Sequence, residues 1–199
     1  QLETLDRPEP APNQVLIRVC AASINPVDYK TRNGSFPPVQ RQQLPKILGR
    51  DISGVVERVG SEVLKLHQGD AVYALLDSDH GGYAEYVAID AELCTLKPVS
   101  TDHAEAAAVP LAALTAWQGL FDHGQLRPKQ RVLIHGVGGA VGGLAAQLAK
   151  SKGAFVYGTD IPEKAKHVAG LGIDRFIDIS TERFEDVVEN VDVVLDYIG

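Results

Sequence analysis

The sequence predicts a chain in two parts, a β-rich first half followed by an α/β second half built on a parallel sheet. Up to Pro98, short runs alternate apolar and polar residues, and turn residues such as Asn33-Gly34 and Gly81-Gly82 separate them. Many short strands with such turns indicate a barrel or a sandwich. From Arg131 onward, strand-like and helix-like segments alternate, which requires parallel strands joined by right-handed crossovers. We therefore predict two domains, residues 1–98 and residues 99–199.

The individual elements follow from the spacing of apolar residues and from the positions of glycine and proline. In the first half we predict strands at 15–21, 52–59, 71–75, 83–89 and 93–96. In the second half we predict two helices rich in alanine and leucine, at 102–108 and 111–121. Then come strands at 131–135, 155–159, 175–178 and 191–196, with helices at 140–152, 162–171 and 182–189.

Composition and charge exclude some classes of function. Among 199 residues, 45% are apolar and 23% charged, as in ordinary globular proteins, and no apolar run approaches the length of a membrane span. The formal net charge of −7 argues against nucleic acid as a partner, because neutralising phosphates dominates that affinity. The first residues lack the basic start and apolar core of a signal peptide. We expect neither nucleic acid nor a membrane as a partner.

The two cysteines, Cys20 and Cys94, lie on predicted strands, and their spacing suits neither a disulfide framework nor a zinc site. We expect both thiols to be buried and inert, which favours a reducing cytoplasm. The sequence contains no methionine, not even an initiator, and this suggests a piece of a longer chain.

The most informative segment runs from Val132 to Gly142, where an apolar strand ends in a glycine-rich turn and a helix opens directly behind it. A diphosphate needs bare backbone N–H groups at a helix N-terminus, so such a turn carries few side chains. The spacing is G-x-x-G-x-x-G rather than G-x-G-x-x-G, and a tight turn without a ligand is the alternative. The residues predicted to bind the cofactor here are Gly136, Gly138, Gly139, Ala140, Val141 and Gly142.

An acidic residue, Asp160, follows Gly142 by eighteen positions and ends the next predicted strand. A carboxylate at that place is the expected partner of the ribose hydroxyls of a dinucleotide. The alternative is that Asp160 caps the helix that Pro162 begins. Together with the glycine turn, Asp160 predicts that the chain binds a nicotinamide dinucleotide.

Five motifs in order resemble one known family over essentially the whole chain. They lie at 23–34, 48–56, 81–87, 107–117 and in the glycine turn, and the strand at 192–196 completes the set. The sequence resembles the zinc-independent quinone oxidoreductase (zeta-crystallin-like) branch of the medium-chain dehydrogenase/reductase superfamily. The resemblance implies a GroES-like β-barrel domain followed by a Rossmann domain, with the active site in the cleft between them. It also implies that this chain is truncated at both ends, with an incomplete Rossmann domain, and that the full-length form is a homodimer.

The resemblance further implies that no zinc is bound. In the alcohol dehydrogenase branch, the catalytic zinc takes a Cys where this chain has Asn25, a His where it has Arg50, and a third ligand near Leu111. None of these positions offers a thiolate or an imidazole here. The activity implied is hydride transfer from NAD(P)H to a quinone or an α,β-unsaturated carbonyl compound, which needs little Lewis-acid help.

Three residues are candidates for the catalytic cleft. The resemblance places Asn25 there as a hydrogen-bond donor to substrate or nicotinamide; the alternative is a turn residue before Pro26. Lys30 stands where several relatives carry Tyr, so it is a candidate proton donor or else a solvated lysine. Thr115 is expected near the nicotinamide, or as a helix-interior residue.

Charged residues near these candidates are expected to pair. Asp28 is predicted to pair with Arg50 or Asp51 across the floor of the cleft, in a structural or a functional role. Such a pair follows from the resemblance rather than from the spacing of these residues.

The cofactor preference depends on Asp160. Relatives that prefer NADPH usually carry a hydroxyl residue or alanine there, with basic residues nearby for the 2′-phosphate. A carboxylate accepts ribose hydroxyls and repels a phosphate, so NADH is slightly favoured here, against the family habit. Lys164 and Lys166, in the segment that follows, are the basic residues able to compensate.

Two alternative functions stay open. The first is reduction of enoyl thioesters, for which the loops at 40–46 and 76–81 would have to admit a long arm. The second is a non-catalytic, nucleotide-binding role, as in relatives that serve as lens crystallins or RNA-binding proteins. The acidic charge of the chain counts against the RNA version.

Overall fold

The computed structural model describes residues 2–36 and 46–198, so most of the loop predicted at 40–46 lies outside the described residues. The chain divides into two units, Gln1–Leu111 and Ala112–Gly199, which we call unit 1 and unit 2. Contacts within the chain group residues 99–111 with unit 1, and the domain boundary predicted after Pro98 stays a prediction.

Unit 1 contains an antiparallel sheet whose five strands lie in the order β4-β1-β2-β3-β5. Alternating side chains of these strands, such as Val15, Ile17 and Ile89, are fully buried and form the core. This matches the alternation from which the strands were predicted. The elements are β1 (Gln14–Ala22), α1 (Pro26–Arg32), β2 (Asp51–Val59), β3 (Ala71–Leu75), β4 (Tyr86–Asp90), β5 (Cys94–Leu96) and α2 (His103–Ala107).

A bulge in β1 changes the environment of Cys20. Val19 lies opposite Gly54 of β2, and Ala21 lies opposite Ser53, so Cys20 is the extra residue. The Cys20 side chain is exposed, and the expectation that it is buried was wrong. Cys94 is half-buried, and its burial raises the pKa of the thiol to about 12.

Helix α2 belongs to unit 1 because polar contacts attach it to the sheet. The Nδ1 atom of His103 lies 2.7 Å from the hydroxyl oxygen of Ser53, and that hydroxyl donates to the carbonyl of Val72 at 2.9 Å. Beyond α2, the backbone N–H of Leu111 donates to Asp51 at 2.8 Å. These hydrogen bonds explain why the boundary lies at Leu111.

Unit 2 contains a parallel sheet in the order β8-β7-β6-β9, so the fold class predicted from the sequence is confirmed. Both neighbours of β6 follow it in sequence, and the direction of winding reverses at β6. Ligands of such sheets bind at this reversal, outside the carboxyl ends of the strands. The elements are α3 (Pro110–Trp117), a π-helical turn (Gln118–His123), β6 (Arg131–His135), α4 (Ala140–Ser151), β7 (Phe155–Asp160), α5 (Ala165–Val168), β8 (Arg175–Asp178), α6 (Phe184–Val187) and β9 (Val193–Asp196).

Two helices are shorter than predicted. The segment predicted at 162–171 is a 3₁₀ turn, Pro162–Lys164, followed by the four residues of α5. Gly170 has a φ of +88°, which is incompatible with continuing the helix. The helix predicted at 182–189 is reduced to α6, because Val188 adopts an extended conformation. No helix in the described part of the chain is long and apolar enough to cross a membrane.

We expect the stability of unit 1 to fall as the pH drops through the range in which His103 titrates. Burial lowers the pKa of His103 from its usual 6.5, and the nearby charges of Lys97 and Arg18 lower it further. The unfolded chain therefore binds this proton more readily than the folded chain. The contribution of His103 is fully present above the unfolded pKa and is lost as the pH falls through the folded pKa.

Urea unfolding of the wild type and of His103→Gln, at about pH 7.5 and about pH 5.5, measures this contribution. The wild type should lose more stability between the two pH values than His103→Gln does. A matched control is His67→Gln, since the His67 side chain is 77% exposed and should behave as the wild type. Equal losses in the wild type and His103→Gln would contradict the assignment.

Candidate functional site

The predicted glycine turn connects β6 to α4 at the carboxyl end of the parallel sheet. Gly136 has a φ of +73°, a conformation that favours glycine, and its N–H donates to the carbonyl of Thr159 at 3.0 Å. Gly139 precedes the first residue of α4, and its N–H donates to the carbonyl of Gly136 at 3.0 Å. These bonds fold the turn tightly against the end of β7.

Close packing explains why the turn needs its glycines. A Cβ atom on Gly142 would lie 2.3 Å from the carbonyl oxygen of Gly136, so a side chain there would push α4 away from β6. A Cβ on Gly138 would lie 2.7 Å from the Cβ of Lys164 and 2.9 Å from a carboxylate oxygen of Asp160. Only bare backbone fits at these two positions.

The first turn of α4 presents backbone donors at the switch point. Its first intrahelical bond runs from the N–H of Gly143 to the carbonyl of Gly139. The N–H groups of Ala140, Val141 and Gly142 precede that bond, and helix geometry gives such groups no partner within the helix. Donors at the positive end of a twelve-residue helix suit an anion, so these residues fit the diphosphate of a dinucleotide.

Asp160 and Lys164 flank Gly138, so the structure brings the two predicted side chains to the glycine turn. One carboxylate oxygen of Asp160 accepts the N–H of Gly138 at 2.7 Å, and the other accepts the N–H of Ile161 at 2.8 Å. The bond to Gly138 means that Asp160 also stabilises the turn itself. Lys164 is exposed, with its stem beside Gly138.

Unit 1 contains a second polar cluster, centred on the buried carboxylate of Asp51, which is 1% exposed. One of its oxygens accepts the hydroxyl of Ser23 at 2.5 Å and the side-chain amide of Asn25 at 2.8 Å. The other accepts the N–H of Leu111 at 2.8 Å. Burial raises the pKa of Asp51, and these hydrogen bonds oppose that effect.

Asp28, in α1, is the second buried carboxylate of this cluster. It accepts the N–H of Asn25 at 2.7 Å, the N–H of Gly49 at 3.2 Å and the hydroxyl of Tyr83 at 2.9 Å. Burial and the adjacent Asp28 carboxylate raise the pKa of Tyr83, so its hydroxyl remains a proton donor to Asp28. Asp28 thereby joins α1 to two loops of unit 1.

The pairing predicted for Asp28 with Arg50 or Asp51 was wrong in its partners. Both carboxylates are held by N–H and O–H donors, and the Nε of Arg50 donates instead to the carbonyl of Leu76 at 2.8 Å. The two carboxylates repel each other, which contributes to the raised pKa of Asp51. Backbone N–H groups and uncharged side chains thus satisfy the two carboxylates in place of the guanidinium.

The three candidate catalytic residues lie in different settings. Asn25 precedes α1, and its amide nitrogen donates to Ser23 and to Asp51, each at 2.8 Å. Both hydrogens of this amide are therefore used within unit 1. Lys30 is exposed on α1, and Thr115 is exposed on α3 of unit 2. The roles predicted for them remain predictions.

Sequence reasoning missed the roles of Tyr83 and Ser23 as hydrogen-bond donors to these carboxylates. The signal that points to them is the start of β2, where an acidic residue, Asp51, opens a strand whose next residues are buried. A buried carboxylate requires donors, and the short polar side chains before α1 supply them. No group of three His, Cys, Asp or Glu side chains within residues 2–36 and 46–198 is arranged to hold a metal ion.

Comparison with known proteins identifies relatives of both units. Residues 11–99 match the family model of the alcohol dehydrogenase GroES-like domain. The chain is 41% identical over 201 residues to a 2-methylene-furan-3-one reductase of Solanum lycopersicum, covering 96% of this chain and 51% of that protein. It is 42% identical over 205 residues to a chloroplastic NADPH-dependent alkenal/one oxidoreductase of Arabidopsis thaliana, covering 96% and 52%.

A solved structure extends the similarity to the fold. The quinone oxidoreductase from Coxiella burnetii superposes with a TM-score of 0.87 and 39% sequence identity, covering 98% of this chain and 63% of that one. The chain thus spans about half the length of the curated relatives it matches.

The turn packing predicts a large difference between two adjacent glycines. We expect Gly142→Ala to lower the stability of unit 2 by about 2 kcal/mol, because its Cβ would overlap the backbone of Gly136. Gly143→Ala is the matched control, since its Cβ would meet the flexible end of Leu171 at 3.3 Å. Denaturant unfolding of the two variants provides the measurement, and similar stabilities would contradict the packing argument.

Proposed function

Because the chain belongs to the medium-chain dehydrogenase/reductase superfamily, within its quinone and alkenal oxidoreductase group, we propose that the protein is an NAD(P)H-dependent reductase of quinones or α,β-unsaturated carbonyl compounds. The observation that carries the proposal is the glycine turn at the carboxyl end of β6, with backbone donors at the start of α4. A dinucleotide bound there supplies a hydride.

The residues of this chain would bind and orient the reactants. The N–H groups of Ala140, Val141 and Gly142 would hold the diphosphate, with Gly136, Gly138 and Gly139 leaving room for it. Asp160 and Lys164 would contact the adenosine ribose. Asn25, Lys30 and Thr115 remain the residues proposed for the substrate end, with the Asn25 side chain oriented by its hydrogen bond to Asp51.

We propose that the reaction uses no zinc. The resemblance places the zinc-ligand positions of the alcohol dehydrogenase branch at Asn25, at Arg50 and near Leu111. In this chain Asn25 and the backbone of Leu111 both donate to Asp51, and a guanidinium, which is always protonated, cannot bind a metal ion. Electron-poor conjugated acceptors suit such a site, since they need little polarisation of the carbonyl.

Turnover assays with the full-length protein test this proposal. With reduced cofactor we expect turnover of a quinone or an alkenal and none of a saturated ketone, and treatment with a chelator should leave the rate unchanged. An enoyl thioester, assayed in parallel, tests the alternative substrate class. Loss of activity on chelation, with recovery on adding Zn²⁺, would contradict the zinc-free reaction, and cofactor binding without turnover would favour a non-catalytic role.

We further propose that Asp160 makes NADH the preferred cofactor. Its carboxylate is fixed on the N–H of Gly138, where a 2′-phosphate placed on the ribose would meet a negative charge. Lys164 lies beside the same glycine and would reduce that repulsion. The Arabidopsis thaliana relative is named NADPH-dependent. The cofactor preference of this chain therefore depends on whether repulsion of the 2′-phosphate by Asp160 exceeds its attraction to Lys164.

Asp160→Ser should shift the ratio of the NADH and NADPH dissociation constants about tenfold towards NADPH, equivalent to about 1.4 kcal/mol. Fluorescence titration with each cofactor measures the ratio. Glu163→Gln is the control, because it removes an equal charge from an exposed neighbour and should leave the ratio unchanged. A wild-type preference for NADPH of about tenfold or more would refute the assignment of Asp160.

A small conjugated carbonyl compound or quinone is the proposed partner. A homodimer of the full-length protein, a cytoplasmic location and the absence of nucleic-acid or membrane partners are parts of the same proposal. The location rests on the free thiols of Cys20 and Cys94.

A further inference from the structure

A small pocket in unit 1 is lined by nitrogen donors that the proposed reaction does not use. Lys46, Arg50 and His80 contribute side chains to it, and Asp28 and Thr31 lie on the same lining. Each of the three basic side chains is partly buried. His80 is paired with Asp77, whereas Lys46 and Arg50 have no carboxylate within ion-pair distance among the described residues. Partly buried positive charge without a counterion is unfavourable, so these two side chains favour binding of an anion.

Arg50 is the central group of this pocket. Its Nε is fixed by the carbonyl of Leu76 at 2.8 Å, which orients the guanidinium. Within the described residues, its two NH₂ groups have neither a hydrogen-bond partner nor a carboxylate in ion-pair distance. A guanidinium held at Nε still presents a planar fork of donors, which matches a carboxylate or a phosphate.

The two neighbouring basic residues, Lys46 and His80, are also positioned by one contact each, and each keeps nitrogen-bound hydrogens or a ring nitrogen with which it can contact a ligand. The ammonium of Lys46 donates to the carbonyl of Ser78, which uses one of its three hydrogens. The Nδ1 of His80 lies 2.7 Å from Asp77, so the other ring nitrogen, Nε2, is left over.

The one carboxylate on the lining does not neutralise this cluster. Asp28 is 5% exposed, and three donors outside the cluster, the N–H groups of Asn25 and Gly49 and the hydroxyl of Tyr83, already satisfy it. Apart from His80, which is paired with Asp77, the lining carries two positive charges, Lys46 and Arg50, against one negative charge, Asp28. The pocket lining therefore has a net positive charge.

We propose that this pocket of unit 1 binds the anionic group, a carboxylate or a phosphate, of a small organic molecule, with the guanidinium of Arg50 as its principal donor. Lys46 adds a second positive charge, and the fixed orientation of Arg50 gives the pocket its geometric preference for planar or tetrahedral oxyanions. The proposal concerns unit 1 alone and does not depend on hydride transfer.

Isothermal titration of the protein at low ionic strength, with inorganic phosphate, pantetheine 4′-phosphate and succinate as separate probes, tests this. We expect saturable binding of at least one probe with a dissociation constant on the order of 1 mM, weakened by added salt. The first two probes distinguish a site for the phosphate group alone from a site that also holds the rest of the molecule, and succinate tests a carboxylate.

Arg50→Gln should weaken binding about tenfold, and Lys46→Gln should weaken it less. Arg127→Gln, an exposed arginine of unit 2, is the control and should bind as the wild type does. If Arg50→Gln fails to fold, Arg50→Lys keeps the charge without the fork, and weaker binding by that variant supports the proposal. No saturable binding of any probe, or equal affinities for the folded Arg50 variant and Arg127→Gln, would overturn it.

Discussion

The close approach of α4 to the end of β6 is the constraint on which the arrangement of unit 2 depends. Where the two elements meet, the Cα of Gly142 faces the carbonyl of Gly136, with no room for a side chain. That approach places the N-terminus of α4 at the point where the strand order reverses. The packing that stabilises the sheet would therefore also form the proposed diphosphate site, and a substitution that relaxes it should change stability and cofactor binding together.

In unit 1, two buried carboxylates connect segments that are distant in sequence. Asp51 joins the segment before α1 to the start of α3 through side-chain and backbone donors, and Asp28 joins α1 to the loops at Gly49 and Tyr83. Removing one partner of a buried carboxylate would lower the free energy of unfolding by far more than the pair contributes, because the remaining charge would stay desolvated. These residues are thus structurally constrained whatever the substrate.

Much of the fold follows from pattern, and most of the site does not. Apolar periodicity placed β3, β6 and β8 at their observed bounds. It failed for α5 and α6, whose ends are set by glycine conformation and local loops, and for Cys20, which a bulge turns outward. Asp160 could be predicted because one βαβ unit fixes its spacing from the glycine turn. Tyr83 and Asp28 are fifty-five residues apart in sequence, and no local pattern predicts a contact over that separation.

The residues at the positions that hold zinc in the alcohol dehydrogenase branch bear on the proposed zinc-free reaction. The side-chain amide of Asn25 and the backbone N–H of Leu111 both donate hydrogen bonds to the carboxylate of Asp51. The neighbouring Arg50 carries a permanent positive charge, which repels a metal cation and attracts anions. Under the proposed zinc-free reaction, such a site would act by placing hydrogen-bonding groups around an electron-poor substrate rather than by polarising a carbonyl through a metal.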